Sequence, residues 1–322
     1  MNYSKIFILL LFVLFNTSES YRVRRVSGGQ PINRKLPWAA FIKKLSGVIF
    51  CGGVVVSNNE IITAAHCFDN NQIENSKVCF GININELECI KIESIIKHPE
   101  YTINSPYNDI AILKLRENIT IENACNIRMP NDNEEQELRL EITNKIRPMK
   151  SGDKLNGTMK VIGFGDVGKE KSGNKDYNVG PLNVLPNNLI RSQLLGGFTN
   201  FTETDTNKLM FGELCEDSKI VCAASANYDI ATDSCSGDSG GPILWQSKTA
   251  RWFRVIGLVS AGTTNDCGDR DNFGVYISLF AKEEWILQNK HGSNLQDCYT
   301  MSPRYNPING ANTQSIKRAR PK

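Results

Sequence analysis

The sequence predicts an all-β fold, a barrel or sandwich ending in one helix, from three observations. Between residues 26 and 277 the apolar side chains come in short runs rich in Val, Ile and Phe. Gly, Asn, Asp or Pro separates each run from the next, with no helical spacing in the gaps. Only near the end does a helical pattern emerge, in "SLFAKEEWILQNKHG". At 322 residues, 40% of them hydrophobic, the chain has material for one large domain or two small ones.

Taken in order, the first element is Lys5, the apolar run "IFILLLFVLF" and polar "NTSES". A charged start, a short apolar stretch and small residues at its end mark a secretory signal peptide over 1–20, because the run stops at Phe15, too soon to span a bilayer. "YRVRR" at 21–25 reads as a short pro-segment. Strands are expected in "WAAFIKKL", "GVVVSNNEIITAAH", "IKIESIIKH" and "DIAILKL". Residues 131–150, "NDNEEQELRLEITNKIRPMK", break the pattern, and their mixed charges make them a solvated, partly helical insertion. "MKVIGFG", "RVIGLVSAG" and "FGVYISL" resume the strands. In the last element Ser278 is expected to cap a helix in which Glu283 and Glu284 alternate with Phe280, Trp285 and Ile286, and Gly292 to close it. Residues 292–322 form an extension, expected to be disordered after Cys298. Its basic end, "KRARPK", has the charge to bind heparin-like polyanions, although a solvated terminus is the commoner case.

Charge and cysteine usage narrow the function classes. Lys5, Arg22, Arg24 and Arg25 against Glu19 account for the whole formal charge of +3, and five basic residues follow Cys298, so the body between them is acidic and no nucleic-acid partner is expected. Ten cysteines, an even number, read as a disulfide framework made in an oxidising compartment. No close CxxC or HxxxH spacing suggests zinc, and no metal or cofactor is expected. Sequons at Asn118, Asn156 and Asn200 agree with a secreted glycoprotein.

Three strings carry chemistry: "TAAHC" with His66, "NDIAIL" with Asp109 and "GDSGGP" with Ser239. A serine hydroxyl is a poor nucleophile until a positioned base takes its proton, and an imidazole supplies that base near neutral pH. A carboxylate on the second ring nitrogen fixes the tautomer and stabilises the imidazolium. Glycines beside the serine let backbone N–H groups converge on one point. In combination and in the order His, Asp, Ser, these strings resemble the trypsin and chymotrypsin family of serine peptidases over roughly residues 26–291. The resemblance implies two antiparallel six-stranded Greek-key barrels with a C-terminal helix, a catalytic triad of His66, Asp109 and Ser239, and an oxyanion hole from the amides of Gly237 and Ser239.

The same resemblance gives the two acids of "DSCSGDSGGP" separate roles. Asp233 falls at the floor of the primary specificity pocket, where a carboxylate favours Arg or Lys before the scissile bond. Ser234 helps to hold that cation, Gly262 and Gly274 keep the pocket open, and Ser260 matches the residue that supports the catalytic aspartate. Asp238 is expected to pair with the α-amino group of Val26 once cleavage after Arg25 frees it, so the protein is expected to be a zymogen. The spacing of Arg22 and Arg25 resembles a furin-type convertase site; the alternative is a trypsin-like enzyme, this one included.

The resemblance also implies the disulfides Cys51–Cys67, Cys235–Cys267 and Cys215–Cys222; Cys79–Cys89 is expected to staple the hairpin "CFGININELEC", which leaves Cys125 for Cys298. Cys79 and Cys89 flank the region where trypsin binds calcium, but Ile82 stands at a ligand position, so no calcium site is expected. Ala261 replaces the family's tryptophan in "SAG", and "GFG" at 163–165 replaces Gly-Trp-Gly. What emerges is a secreted, monomeric serine endopeptidase with protein or peptide substrates, a protein inhibitor and no membrane span. The alternative is a catalytically quiet homologue acting as a binding glycoprotein.

Overall fold

β-Branched runs bounded by turn residues pair antiparallel into two closed six-stranded barrels. The computed structural model describes residues 26, 29–32, 36–70, 73–82, 86–103, 105–144, 159–165, 178–184, 219–225, 232–247, 253–262, 267 and 273–298. A two-residue strand, β1 (Gln30–Pro31), precedes the first barrel. That barrel comprises β2 (Ala39–Lys44), β3 (Ile49–Val55), β4 (Glu60–Thr63), β5 (Ser76–Phe80), β6 (Glu88–Lys97) and β7 (Ala111–Leu115), in the closed order β2-β3-β4-β7-β6-β5. The second comprises β8 (Met159–Gly163), β9 (Asn178–Val184), β10 (Ile220–Ser225), β11 (Pro242–Trp245), β12 (Arg254–Gly262) and β13 (Gly274–Ser278). Its ring runs β9-β10-β13-β12-β11-β8 and closes through β8 on β9, while β1 pairs with Asn178 and Val179 at the start of β9, on the edge that β10 takes further along.

Each barrel fills its own interior, and a third cluster joins them. Ile42, Val55, Ile61, Phe68, Val78 and Leu113 pack the first. Met159, Val161, Ile243, Trp245, Ile256 and Tyr276 pack the second. The seam holds Phe41 and Ile62 from one side with Phe164, Leu258 and Ile277 from the other. Phe41 meets Phe164 edge to face, with ring centroids 4.3 Å apart. Each buried aromatic contributes about 1.5–3 kcal/mol, so the barrels are locked together by the hydrophobic effect and the cleft between them keeps a fixed shape.

The disulfides Cys51–Cys67, Cys79–Cys89, Cys125–Cys298 and Cys235–Cys267 are present. Cys222 is also disulfide-bonded, while Cys215 lies outside the described residues. Cys125–Cys298 joins residues 173 apart in sequence. Closing so long a loop removes the most entropy from the unfolded chain.

Two local expectations need correction. The terminal helix does not begin at Ser278, which stays in β13 opposite Gly257. A 3-10 turn over Phe280–Lys282 follows, then α2 (Glu283–Asn289), whose N-cap Lys282 makes no side-chain cap bond; the helix ends at Lys290, before Gly292. Ladder pairing outcompetes the cap. The insertion is not wholly solvated either: it contains α1 (Asp132–Asn144), which docks on the second barrel. Leu138 is buried in that barrel's core, Arg254 makes a two-pronged bond to Glu134, and Ser247 Oγ donates to Glu137 at 2.5 Å. The segment from His291 to Cys298, ahead of the stretch expected to be disordered, packs along the first barrel: the amides of His291 and Gly292 donate to the Glu60 carboxylate, and Asn126 bridges Asp297. The tail beyond Cys298 lies outside the described residues.

Candidate active site

The β4 strand ends at Thr63, and the chain turns at once into a 3-10 turn, Ala65–Phe68, anchored by buried Ala65 and Phe68. That anchoring holds His66 at the cleft with its side chain 34% exposed. Asp109, two residues before β7, is buried. Its carboxylate accepts the His66 backbone N–H at 2.9 Å and lies 2.7 Å from His66 Nδ1. Ser260 Oγ, from β12 of the other barrel, donates to the same carboxylate at 2.6 Å. With a carboxylate acceptor at Nδ1, the neutral ring carries its proton there and leaves Nε2 as the acceptor facing the cleft. Burial pulls the His66 pKa down, but the hydrogen bond and charge of Asp109, helped by Asp69 and opposed by Lys97, raise it above the ordinary 6.5.

Ser239 sits in a turn between Gly237 and Gly240, whose φ angles of 93° and 74° suit glycine. A Cβ at Gly240 would lie 2.2 Å from Thr63 Oγ1 and 2.7 Å from the Ala64 nitrogen, so the turn is pressed against the end of β4 beside His66. The Gly52 amide in β3 donates to the Ser239 carbonyl at 2.7 Å, and Cys51–Cys67 ties that strand to the histidine turn. Among the described residues, the amides of Gly237 and Ser239 have no hydrogen-bond acceptor, so two N–H groups are available for a bound anion or carbonyl.

Behind this turn Asp238 is fully buried. Its two oxygens accept the amides of Gly165 at 2.6 Å and Cys235 at 2.9 Å. A side chain at Gly163 or Gly165 would collide with it, which explains both glycines of "GFG". Val26 is buried against Gly180 and Thr232 in the second barrel with φ 43°, a strained value for a β-branched residue. Arg25 lies outside the described residues.

Beyond Cys235 the turn leads back to Asp233 and Ser234, both buried. Gly262 and Gly274 pair across β12 and β13, and a Cβ at Gly274 would lie 2.6 Å from the Tyr276 hydroxyl. Ser234 Oγ is 3.4 Å from the Tyr276 hydroxyl. Burial first, then the charge of Asp233, pushes the Tyr276 pKa well above its ordinary value. The Asp233 carboxylate and the Ser234 and Tyr276 hydroxyls therefore lie close together.

A family model for trypsin matches residues 26–286. The chain belongs to the trypsin family. This family of serine proteases includes relatives at about a quarter identity: transmembrane protease serine 11G of Rattus norvegicus is 26% identical over 275 residues, covering 83% of this chain and 56% of the relative. The clotting factor G beta subunit of Tachypleus tridentatus is 26% identical over 341 residues, covering 94% and 98%. The chain spans about half the length of the transmembrane proteases it matches. A solved structure of neuropsin, a serine protease expressed in the limbic system of mouse brain, shares the fold with a TM-score of 0.54 and 22% identity, over 79% of this chain and 94% of that one.

Sequence reasoning missed three groups around the trypsin-family cleft. Tyr276 was visible in "FGVY" but read only as strand. Asp69, three residues after His66, is gripped by Lys97 Nζ at 2.9 Å and Tyr101 OH at 2.9 Å, and its role depends on contacts no local string shows. Lys282 is buried and donates to Asn108, the residue before Asp109. The expected glycosylation site Asn118 is exposed, its Oδ1 accepting Asn58 Nδ2; Asn156 and Asn200 lie outside the described residues. Among the described residues the one cluster of metal-type donors is Cys51, His66 and Cys67, and its two sulfurs are bonded to each other.

Proposed function

We propose that this protein is a secreted serine endopeptidase that hydrolyses peptide bonds after Arg or Lys. The observation that carries the reading is the shared bonding of one buried carboxylate, Asp109, to His66 Nδ1 and to Ser260, beside a Ser239 turn with two available amides. Ser239 Oγ attacks the scissile carbonyl while His66 Nε2 takes its proton. The developing oxyanion binds the Gly237 and Ser239 amides, each such donor contributing about 2.7–4 kcal/mol to the transition state. Imidazolium then protonates the leaving amine, and water entering by the same route frees the acyl group from Ser239. Asp233 sets the preference, because its buried carboxylate attracts a cationic substrate side chain and gives an apolar one nothing to bind.

Activation follows from the strain at Val26. A φ angle exists only while Arg25 is attached, so cleavage after Arg25 relieves about 1–3 kcal/mol of strain and creates an ammonium for Asp238. A furin-type convertase and a trypsin-like enzyme both fit the Arg22–Arg25 segment. Secretion is supported by the signal-like residues 1–20 and by the disulfides. Among the described residues no helix is long and apolar enough to cross a membrane.

The test is active-site titration with an arginine-mimicking, serine-acylating reagent, paired with N-terminal sequencing. The expected result is a stoichiometric burst from protein beginning at Val26, lost in Ser239→Ala. Val26-terminated protein without a burst would overturn the reading and leave a quiet binding glycoprotein.

A further inference from the structure

Asp109 stands at the apex of a narrow turn in which the Ile110 amide donates to the Asn108 carbonyl at 2.7 Å. So tight a turn transmits any rotation of Asn108 to the Asp109 carboxylate. Asn108 itself is left-handed, with φ 58°, and buried. Asparagine tolerates that region better than most residues but does not select it alone. Its side chain is gripped at both ends: Nδ2 donates to the Glu100 carbonyl at 3.4 Å, and Oδ1 accepts from Lys282 Nζ.

Lys282 is an unexpected donor. It ends the 3-10 turn after β13 and is only 5% exposed, a position at which a lysine persists only when its ammonium is bound. His98, whose amide donates to the Ile110 carbonyl, lies close enough that burial and then the Lys282 charge hold its pKa below the ordinary value. The bond therefore crosses from the second barrel, whose β12 also supplies Ser260, to the turn that presents Asp109.

We propose that Lys282 is a positioning residue for the Asp109–His66 pair, acting through the side chain of Asn108. Ser260 holds the carboxylate directly; Lys282 fixes the backbone from which it projects. The inference rests on the proteolytic reading of this site.

The experiment is a double-mutant cycle on protein activated by cleavage after Arg25, with Lys282→Met, which keeps the stem, and Asn108→Gly, which keeps the left-handed backbone. kcat per titrated site is measured on an arginine substrate, which removes misfolded molecules from the count. Lys282→Met is expected to lower kcat about 10- to 100-fold with KM little changed, the scale of a displacement of about 1 Å in a catalytic group. The double variant should be no slower than the slower single variant. NMR titration of His66 gives a readout independent of turnover. Its neighbours Asp109, Asp69 and Lys97 are unchanged in Lys282→Met, so a fall in its pKa reports weakened Asp109 contact. Full kcat, additive effects or an unmoved His66 titration would each overturn the proposal. An inactive wild type would refute the proteolytic reading instead, and the His66 titration would still decide the role of Lys282.

Discussion

Replacing Gly163 by alanine places a methyl carbon 1.7 Å from Asp238 Oδ1 and 2.5 Å from its Cγ. Contacts under 3.0 Å force something to shift, so the carboxylate has to retreat by at least about 1.3 Å. It cannot do so and keep the bonds at 2.6 Å from the Gly165 amide and 2.9 Å from the Cys235 amide. A hydrogen bond to a charged group is worth about 1.5–3 kcal/mol, so losing both removes about 3–6 kcal/mol from the ordered form of the turn carrying Gly237 and Ser239. At 1.36 kcal/mol per tenfold, kcat/KM on an arginine ester falls about 10²- to 10⁴-fold. The assay measures kcat/KM against total folded protein, with circular dichroism confirming that the barrels persist. Activity within tenfold of the parent, in a variant with the same melting temperature, would refute the claim that this carboxylate sets the turn.

Two further perturbations probe other parts of the molecule. In Asp69→Asn the imidazolium of His66 loses a favourable charge while Lys97 remains to oppose it, so the His66 pKa falls. Because the base must be neutral, the acid limb of kcat/KM is expected to move to lower pH than in the parent; a limb that stays put or moves up counts against the role of Asp69. In Glu60→Gln, the new NH2 replaces either Oε2, which accepts from Ser57 Oγ at 2.8 Å and the Gly292 amide at 2.7 Å, or Oε1, which accepts from the His291 amide at 2.9 Å, and in either place a donor faces a backbone N–H. Urea unfolding should show a loss of about 2–4 kcal/mol with kcat per titrated site unchanged, whereas a loss below about 0.5 kcal/mol would mean the carboxylate does not pin the segment after α2.

How much of this was legible depends on the distance over which each signal acts. Strands in "DIAILKL" and "FGVYISL" were readable because side-chain alternation and turn residues are local, and the Ser239 turn because its glycines serve one compact geometry. The Ser278 cap failed because the hydroxyl shows a capacity to cap, while the competing β13 ladder depends on Gly257, twenty-one residues upstream. Docking of α1 was hidden for a related reason. In a stretch so charged, one leucine and two acids give no hint that Leu138 enters a core or that Glu134 meets Arg254.

Buried charges mark the sharpest limit. Asp109 and Asp238 could be assigned only because their surrounding strings resemble a family. Glu60 and Lys282, buried as deeply, went unread, since their partners lie 231 and 174 residues away and exist as partners only after the barrels close. A sequence displays a charged group but not its acceptor, and a buried charge without an acceptor would not be stable. Glu60 and Lys282 therefore carry information about the assembled cleft that no local pattern contains: both cross between the first barrel and the elements after β13, and Lys282 ends at the turn that aims Asp109. A chain whose barrels closed without that crossing would keep every motif and lose the alignment that the motifs require.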